Sequence, residues 1–455
     1  MAPPATSPDR VESALDRVES WVDDEGIPGA SIALVDGSEV VATDGFGRRG
    51  PDRPATGDTL YAVGSVTKPV TALATLVLAD RKGIDLDDPI ADYVPYFADA
   101  PGEPVTVGRL LSHTSGMPND DLAFAADALD GWDEFRSFVA ESTDRGLLDD
   151  DRFYYYNSGY AVLDRLVTAV SGTEFPTFVR RAVFDPLEMR EATFDRSVFT
   201  DPSADVMTPY VSAAEEFRDA AGSENPILTS DLLRAPGGLL ASVTDLARLV
   251  RAHLADDPPL SETVFDRLST RVATRERLVD GTETAYGHGL ESEPFGSDRL
   301  VGHGGNTGCS GGYVGFLEDA GVGIAIAHTG VADGKAATRD ALAVLVGVDP
   351  DAIDPVAAVD AVLDDLVGRY ESPGGNHHAT VRRDEARLDV AFGGDGGRFE
   401  VRALPLDLSG SLYRFTDVDC AESTTDVEWY AGDTPKLVFE GMPFRRVGPR
   451  SADGD

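Results

Sequence analysis

The 455-residue sequence has little cysteine, little lysine and no long apolar run. Its two cysteines, Cys309 and Cys420, lie far apart, which argues against a disulfide scaffold or a cysteine-rich zinc module and predicts small buried side chains. No run reaches roughly 18 apolar residues, so no membrane-spanning helix is expected. The first residues carry neither a charged and apolar signal nor a twin-arginine motif, which predicts a cytoplasmic location.

Positive charge is also scarce. Lys and Arg number 39 against 80 Asp and Glu, and the formal net charge is −41. Such a charge repels phosphate backbones and anionic lipid surfaces, so neither nucleic acid nor a membrane is expected as a partner. Only four of the basic residues are lysines, and this composition resembles that of salt-adapted haloarchaeal proteins, in which hydrated carboxylates keep the chain soluble.

The length predicts two or three folding units, since a typical domain has roughly 150 residues. Helical periodicity and hairpin signals continue to about residue 350, where prolines and acids indicate a linker. Beyond residue 366, short runs of period two alternate with Gly and Asp turns, as in a small antiparallel barrel. Four such runs predict strands at Ala379–Val381, Arg387–Phe392, Ser411–Phe415 and Lys436–Phe439. We therefore predict an α+β fold with domains at 1–350 and 366–450, joined by a linker and helix at 351–365.

Several elements of the first domain can be predicted from local patterns. Apolar periodicity, hairpin turns and a serine cap place them as follows: a helix from Val11 to Asp24, a hairpin through Asp36-Gly37, an apolar helix from about Val66 to Ala79, a helix that starts at Ser242, two strands around Gly321, and a helix from Ala336 to Val346.

Ser65-Val66-Thr67-Lys68, at the start of the apolar helix, is the first candidate for chemistry. Three helical residues bring Lys68 onto nearly the same face as Ser65, with Cβ atoms about 5–6 Å apart. A serine hydroxyl is a weak nucleophile until a base takes its proton, and a desolvated lysine can be partly neutral. Arginine, which the chain uses almost everywhere else, could not act as that base. A helix cap with an outward-reaching lysine is the structural alternative.

Two further motifs could serve such a nucleophile. Tyr155-Tyr156-Asn157 offers a phenol that can relay protons and an amide that can donate to a carbonyl, although aromatic runs usually belong to a core. His303-Gly304-Gly305 precedes a predicted strand pair, where glycines let an acyl group approach the backbone and amides can donate to an oxyanion. A plain loop is the alternative there.

With Ser-x-x-Lys, Tyr-x-Asn and His-x-Gly in this order, the chain resembles the serine β-lactamase and penicillin-recognising superfamily. It is most similar to the class C β-lactamase-like branch, which includes D-amino-acid peptidases and carboxylesterases. The resemblance covers roughly residues 10–346 and extends to four more segments: Tyr61 to Gly64, Leu110 to Gly116, Asn157 to Tyr160 and Pro236 to Leu239. It implies a β-lactamase-like fold, in which an antiparallel sheet flanked by helices lies beside a helical region, followed by a lipocalin-like barrel.

The resemblance also implies residue roles. Ser65 would be the acylated nucleophile, Lys68 its activating partner and Tyr155 the general acid/base. Asn157, His303 and Gly305 would bind the substrate. The backbone amides of Ser65 and Asn306 would form the oxyanion hole. Within the Leu110 to Gly116 segment, we expect His113 to be a structural hydrogen-bonding residue rather than a second base.

The third motif departs from the Lys-Thr-Gly of typical β-lactamases, because His303 takes the place of the lysine. A strong cationic grip on a β-lactam carboxylate is therefore not expected, whereas esterase and D-aminopeptidase-like members do carry His-x-Gly. The sequence thus predicts a serine hydrolase that forms an acyl-enzyme on a small ester or peptide, with no metal or cofactor. It leaves the formation of a homo-oligomer open.

Two other interpretations of the sequence compete with this one. Gly308-Cys309-Ser310-Gly311-Gly312 fits a Gly-x-Ser-x-Gly nucleophile elbow, but an elbow needs a helix after the serine, and a strand pair is predicted there. The other is a non-catalytic penicillin-binding-like sensor or binding protein on the same fold. A pure binder, however, has no need for a base beside a serine.

Overall fold

The computed structural model describes the chain apart from its two termini and several internal segments. The described residues are 6–117, 122–144, 152–211, 216–218, 225–350, 353, 355–394, 397–417, 426–432, 435–439 and 442–447. Cys420 lies outside them, whereas Cys309 is a buried free thiol, as the sequence predicts. No helix in the described part has the length and apolar character needed to cross a bilayer.

The chain divides into two compact units. The first comprises Met1–Arg275 and Thr284–Val348, and the second comprises Glu276–Glu283 and Asp349–Asp455. The second unit therefore includes a short segment, Glu276–Glu283, that precedes the main part of its chain.

Strands β1 to β13 lie before residue 330. In chain order they are β1 Gly29–Asp36, β2 Glu39–Gly50, β3 Arg53–Pro54, β4 Tyr61–Ala62, β5 Tyr210–Val211, β6 Glu216–Phe217, β7 Leu240–Ala241, β8 Ala273–Arg277, β9 Glu283–Tyr286, β10 Glu291–Phe295, β11 Asp298–Asn306, β12 Ser310–Leu317 and β13 Val322–Thr329. Nine of them form one sheet in the order β3-β2-β1-β13-β12-β11-β10-β9-β8, and β4 pairs with β7 and β5 with β6.

The α-helices of the described residues are α1 Pro8–Asp24, α2 Thr67–Lys82, α3 Val107–Leu111, α4 Leu122–Ala125, α5 Gly131–Asp144, α6 Asn157–Ser171, α7 Phe175–Val179, α8 Asp185–Leu187, α9 Pro226–Thr229, α10 Arg234–Gly237, α11 Val243–Leu254, α12 Glu262–Ser269, α13 Gly334–Val346 and α14 Pro355–Leu366. Of these, α1 to α13 belong to the first unit, where they flank this sheet or form a helical region, and α14 belongs to the second unit. The helix at Ser242 is confirmed, because that hydroxyl accepts a hydrogen bond from the Asp245 amide at the start of α11.

The centre of the sheet is covered on both faces. Every residue of β12 and β13 is buried, and β1 is buried up to its last residue. Runs that are apolar on both faces are typical of strands with helices on each side. The predicted hairpin is confirmed, since Asp36 of β1 pairs with Glu39 of β2 and Gly37 takes the positive φ of 56° that this tight turn requires.

Helix α2 lies in the middle of the largest hydrophobic cluster. All of its residues from Thr67 to Ala79 are buried, and it ends at Gly83 in the left-handed conformation. Burial of several Leu and Val side chains, at about 1.5–3 kcal/mol each, holds this helix in place. The first turn of α2 is therefore a rigid platform.

In the second unit, α14 is followed by eight antiparallel strands that close into a barrel. These are β14 Gly368–Glu371, β15 His377–Asp384, β16 Arg387–Gly394, β17 Gly397–Asp407, β18 Leu412–Asp417, β19 Asp426–Tyr430, β20 Lys436–Phe439 and β21 Met442–Arg446. Pairing of β21 with β14 completes the ring, and Trp429, Phe415 and Tyr370 are fully buried in its core. The lipocalin-like character of this barrel stays a prediction.

Candidate active site

Ser65 lies in a 3-10 turn, Gly64–Val66, that leads directly into α2. Gly64 has a φ of 54°, and a Cβ on it would lie 2.7 Å from the backbone nitrogen of Asn306. Only glycine combines this conformation with so close an approach. The turn thus packs its backbone directly against the end of β11 and leaves the Ser65 side chain partly exposed.

Lys68 occupies the first turn of α2 and is fully buried. Its Nζ lies 2.9 Å from Ser65 Oγ and donates a hydrogen bond to the Pro236 carbonyl at 2.8 Å. Among the described residues, no carboxylate forms an ion pair with it. Burial therefore lowers the pKa of Lys68 well below its ordinary value, because nothing compensates the desolvated charge. The amine is placed and tuned to accept a proton.

Tyr155 lies just ahead of α6 and is partly buried. Its ring centroid is 4.6 Å from Lys68 Nζ, and the Ser65 hydroxyl lies close enough to the phenol to affect its pKa. Burial raises the pKa of Tyr155 above its ordinary value, while the Ser65 hydroxyl and the charge of Arg275 act in the opposite direction. The phenol is therefore protonated at neutral pH and can act as a proton donor.

Asn157 is the first residue of α6, two residues beyond Tyr155, and its side chain is partly exposed. Because only Tyr156 separates them, the Tyr155 phenol and the Asn157 amide belong to the same short segment. An exposed amide at a helix start is suited to donate to a substrate carbonyl.

His303 lies on β11, so the His-Gly-Gly motif belongs to a strand and not to a loop. The buried ring donates from Nδ1 to the Gly304 carbonyl at 2.6 Å, and its Nε2 accepts from the Tyr286 hydroxyl at 2.9 Å. Burial, reinforced by the charge of Lys68, lowers the pKa of His303 to about 3. The imidazole is therefore neutral at any pH near 7.

Gly305 makes the second close backbone contact with the Gly64–Val66 turn, which carries the candidate nucleophile Ser65 and is called the nucleophile turn below. A Cβ on it would lie 2.0 Å from the Val63 carbonyl oxygen and 2.6 Å from the Ser65 nitrogen. The space that a side chain would occupy is filled by the turn itself. The glycine is thus required for packing, a role that the sequence alone did not reveal.

The amides of Ser65 and Asn306 both lie where the Gly64–Val66 turn packs against the end of β11. A Cβ on Gly305 would lie 2.6 Å from the Ser65 nitrogen, and one on Gly64 would lie 2.7 Å from the Asn306 nitrogen. N–H groups in the first turn of a helix have no intrahelical acceptor, and the positive end of the helix dipole lies there. This arrangement is suited to bind an oxyanion.

Sequence reasoning missed the groups that support the site from a distance. Tyr286 holds the His303 ring, and the Tyr160 hydroxyl donates to the Leu111 carbonyl at 2.8 Å. Asp164 is fully buried and accepts two hydrogen bonds from Arg234, at 2.6 and 3.1 Å. Arg234 begins α10, the helix that carries the Pro236 carbonyl bound by Lys68. No local pattern marks these contacts, because each joins distant parts of the chain.

The rival nucleophile Ser310 is placed unsuitably for an elbow. It is fully buried at the start of β12, and its hydroxyl donates to the Ala62 carbonyl at 2.6 Å. A strand follows it instead of a helix. Ser310 is therefore a structural hydrogen-bonding residue. Among the described residues, no cluster of three or more His, Cys, Asp or Glu could hold a metal ion.

Comparisons with known proteins identify relatives of this chain. A family model described as Beta-lactamase matches residues 11–348. Penicillin-binding protein 4 of Amycolatopsis lactamdurans is 28% identical over 381 residues, which cover 79% of this chain and 97% of that protein.

Two solved structures show the fold. The octameric penicillin-binding protein homologue from Pyrococcus abyssi has a TM-score of 0.71 and 26% identity, and the match covers 96% of this chain and all of that one. The D-amino acid amidase from Ochrobactrum anthropi SV3 has a TM-score of 0.59 at 22% identity, covering 74% of this chain and 99% of that one, and supports the fold alone. Because the family model spans well over half of the sequence, the chain belongs to the β-lactamase family.

Proposed function

We propose that the protein is a serine hydrolase that cleaves esters or amides through an acyl-enzyme on Ser65. The observation that carries this proposal is the buried amine of Lys68, 2.9 Å from the Ser65 hydroxyl and without a carboxylate partner in the described part of the chain. Burial without a charged partner favours the neutral form of an amine, and in this position such an amine is the base that a serine nucleophile needs.

The steps follow from the geometry. Lys68 takes the Ser65 proton as Oγ forms a bond to the substrate carbonyl carbon, and the carbonyl oxygen becomes an oxyanion that the Ser65 and Asn306 amides stabilise. As the bond to the leaving alcohol or amine breaks, Tyr155 donates the phenolic proton to it, and the ammonium of Lys68 returns a proton to the phenolate. Water then attacks the acyl-enzyme ester as Lys68, acting with Tyr155, takes its proton, and that proton passes to Oγ as the bond to the acid breaks.

We propose a substrate without an essential carboxylate next to the scissile bond, either a short acyl ester or a D-aminoacyl amide. His303 stands where typical β-lactamases carry a lysine, and its neutral ring cannot pair with a carboxylate as an ammonium would. The ring is further occupied by Tyr286 and Gly304. β-Lactams should therefore be poorer substrates than esters or amides.

Several wider assignments stay proposals. We assign the hydrolase domain to 1–350, a linker and helix to 351–365 and a lipocalin-like barrel to 366–450. Formation of a homo-oligomer is supported by the octameric homologue from Pyrococcus abyssi. A cytoplasmic location and adaptation to high salt stay predictions from the sequence, and loss of the folded state on dialysis into low salt would support the second.

Covalent labelling tests the proposed chemistry. In concentrated KCl, a fluorophosphonate probe should add its mass to the wild-type protein and to Ser310→Ala, but not to Ser65→Ala. A panel of acyl esters, D-aminoacyl amides and nitrocefin should show turnover of one of the first two classes above that of nitrocefin. Label on another side chain would refute the assignment of Ser65, and absence of both label and turnover would favour a non-catalytic binding protein.

A further inference from the structure

His113 contacts the chain on both sides of Tyr155. Its carbonyl oxygen accepts a hydrogen bond from the Tyr154 amide at 2.8 Å, and its ring Nδ1 accepts one from the Tyr156 amide at 3.1 Å. The main-chain and side-chain acceptors of one residue therefore hold the two amides that flank Tyr155. A backbone fixed at both neighbours leaves the Tyr155 Cα little freedom to move.

The imidazole ring also packs against the phenol ring. The centroids of His113 and Tyr155 are 4.4 Å apart, with the planes inclined by 38°. On its other sides the His113 ring contacts Tyr160 at 5.1 Å and Tyr286 at 5.0 Å. His113 is only 1% exposed, so these contacts surround it. The ring thus transmits the rigidity of its neighbours to the phenol.

The protonation state of His113 follows from its hydrogen bond. An amide N–H can only donate, so Nδ1 must be unprotonated and the ring proton must be on Nε2. Burial lowers the pKa of His113 well below its ordinary value, and the positive charge that Lys68 can carry lowers it further. Nε2 has no hydrogen-bond partner among the described residues. The ring therefore offers an acceptor and a packing surface, and no described group receives its proton.

The backbone of His113 restricts which residues can replace it. Its φ is 58°, in the left-handed region that few side chains other than Asn and Asp tolerate. The position thus requires both an unusual conformation and a side-chain acceptor close to the main chain. A residue selected only for packing would meet neither requirement.

We propose that His113 is a positioning residue that holds Tyr155 against Ser65 and Lys68 by fixing both of its neighbouring amides. This inference rests on the proposed function, because His113 acts only through the Tyr155 phenol. A displacement of about 1 Å in a reacting group costs roughly 100-fold in rate. Loss of the Nδ1 acceptor should therefore lower kcat far more than it changes KM.

Two substitutions separate the acceptor from the other features of this residue. His113→Gly and His113→Asn both tolerate the left-handed conformation and both remove the ring, but only the asparagine side chain can accept from the Tyr156 amide. With an ester substrate in concentrated KCl, His113→Gly should lower kcat about 100-fold and leave KM within threefold. The kcat of His113→Asn should be at least tenfold higher than that of His113→Gly.

Repeating the glycine substitution in a Tyr155→Phe background tests whether the effect passes through the phenol. There it should cost less than threefold, whereas a general structural defect would cost the same in both backgrounds. Equal kcat values for the glycine and asparagine variants, or a loss confined to KM, would overturn the proposal. If the glycine variant does not fold, a kcat for His113→Asn that equals that of wild type, or that lies more than 30-fold below it, would overturn the proposal, and a loss between these limits would support it.

The labelling of Ser65 keeps this result separate from the proposed function. If Ser65→Ala still takes the fluorophosphonate, the hydrolase mechanism fails and the positioning role fails with it. If labelling requires Ser65 but the His113 variants match wild type in kcat, only the positioning role is wrong.

Discussion

Replacing Gly305 with alanine tests the contact between β11 and the nucleophile turn. The added Cβ would lie 2.0 Å from the Val63 carbonyl oxygen, 2.6 Å from the Ser65 nitrogen and 2.7 Å from the Val66 nitrogen. All three are main-chain atoms, so no side chain can rotate away. Because ordinary van der Waals contact begins near 3.4 Å, the strand and the turn must separate by about 1.4 Å.

That separation moves the Asn306 amide away from Ser65. Loss of one oxyanion donor lowers rates by about 100- to 1000-fold, equivalent to roughly 3–4 kcal/mol of transition-state stabilisation. We therefore expect kcat/KM of Gly305→Ala to fall by about two to three orders of magnitude. The free energy of unfolding should fall by only about 1–3 kcal/mol, as is typical of overpacking.

Gly304→Ala is the matched control, since it alters the neighbouring residue of the same strand. Its Cβ would lie 3.2 Å from the Tyr313 ring, a side chain that can give by a few tenths of an ångström. Both variants would be assayed by p-nitrophenyl ester hydrolysis in concentrated KCl, together with thermal unfolding. A kcat/KM for Gly305→Ala within tenfold of Gly304→Ala would refute this account of the site.

Three further predictions concern the buried charges. In the wild type, kcat/KM should rise as the pH passes through the lowered pKa of Lys68, because the neutral amine is the active form, and should reach its plateau below the ordinary lysine value of 10.5. In Lys68→Arg, kcat/KM should be at least 1000-fold lower at every pH, and the same rise with pH in that variant would contradict the assignment. Asp164→Ala should lower the free energy of unfolding by about 3–5 kcal/mol in urea titrations, since it leaves the mostly buried guanidinium of Arg234 without its bidentate partner. A loss below about 1 kcal/mol would show that the pair is dispensable. Burial lowers the pKa of His328 to about 4, so the histidine of the unfolded chain takes up a proton at higher pH, and the free energy of unfolding falls as the pH drops from 6.5 towards 4. At pH 5 we expect this group to lower the free energy of unfolding by about 2 kcal/mol, a loss that a His328→Gln variant should not show.

Patterns with short range in the chain were predictable. The hairpin at Gly37 and the helix that begins at Ser242 follow from turn and capping chemistry, which involves only a few neighbouring residues. In the barrel, alternation predicted four of the strands. Strands β14, β17, β19 and β21 were not predicted, because part of each is set by its pairing partners and not by its own pattern.

The local geometry of the candidate nucleophile was predictable from the sequence. Ser65 and Lys68 lie three residues apart, across a 3-10 turn and the first turn of α2, and this spacing brings the amine within reach of the hydroxyl. The scarcity of lysine made that residue conspicuous.

The surroundings of Ser65 and Lys68 depend on tertiary contacts. Whether Lys68 is neutral depends on burial by distant segments, and the position of Tyr155 depends on His113, which lies in another part of the chain. The requirement for glycine at position 305 could not be predicted either, because the backbone of the nucleophile turn fills the space that a side chain would need. Contacts between residues far apart in sequence leave no periodic trace in it, since they are fixed only when the packed core brings their segments together.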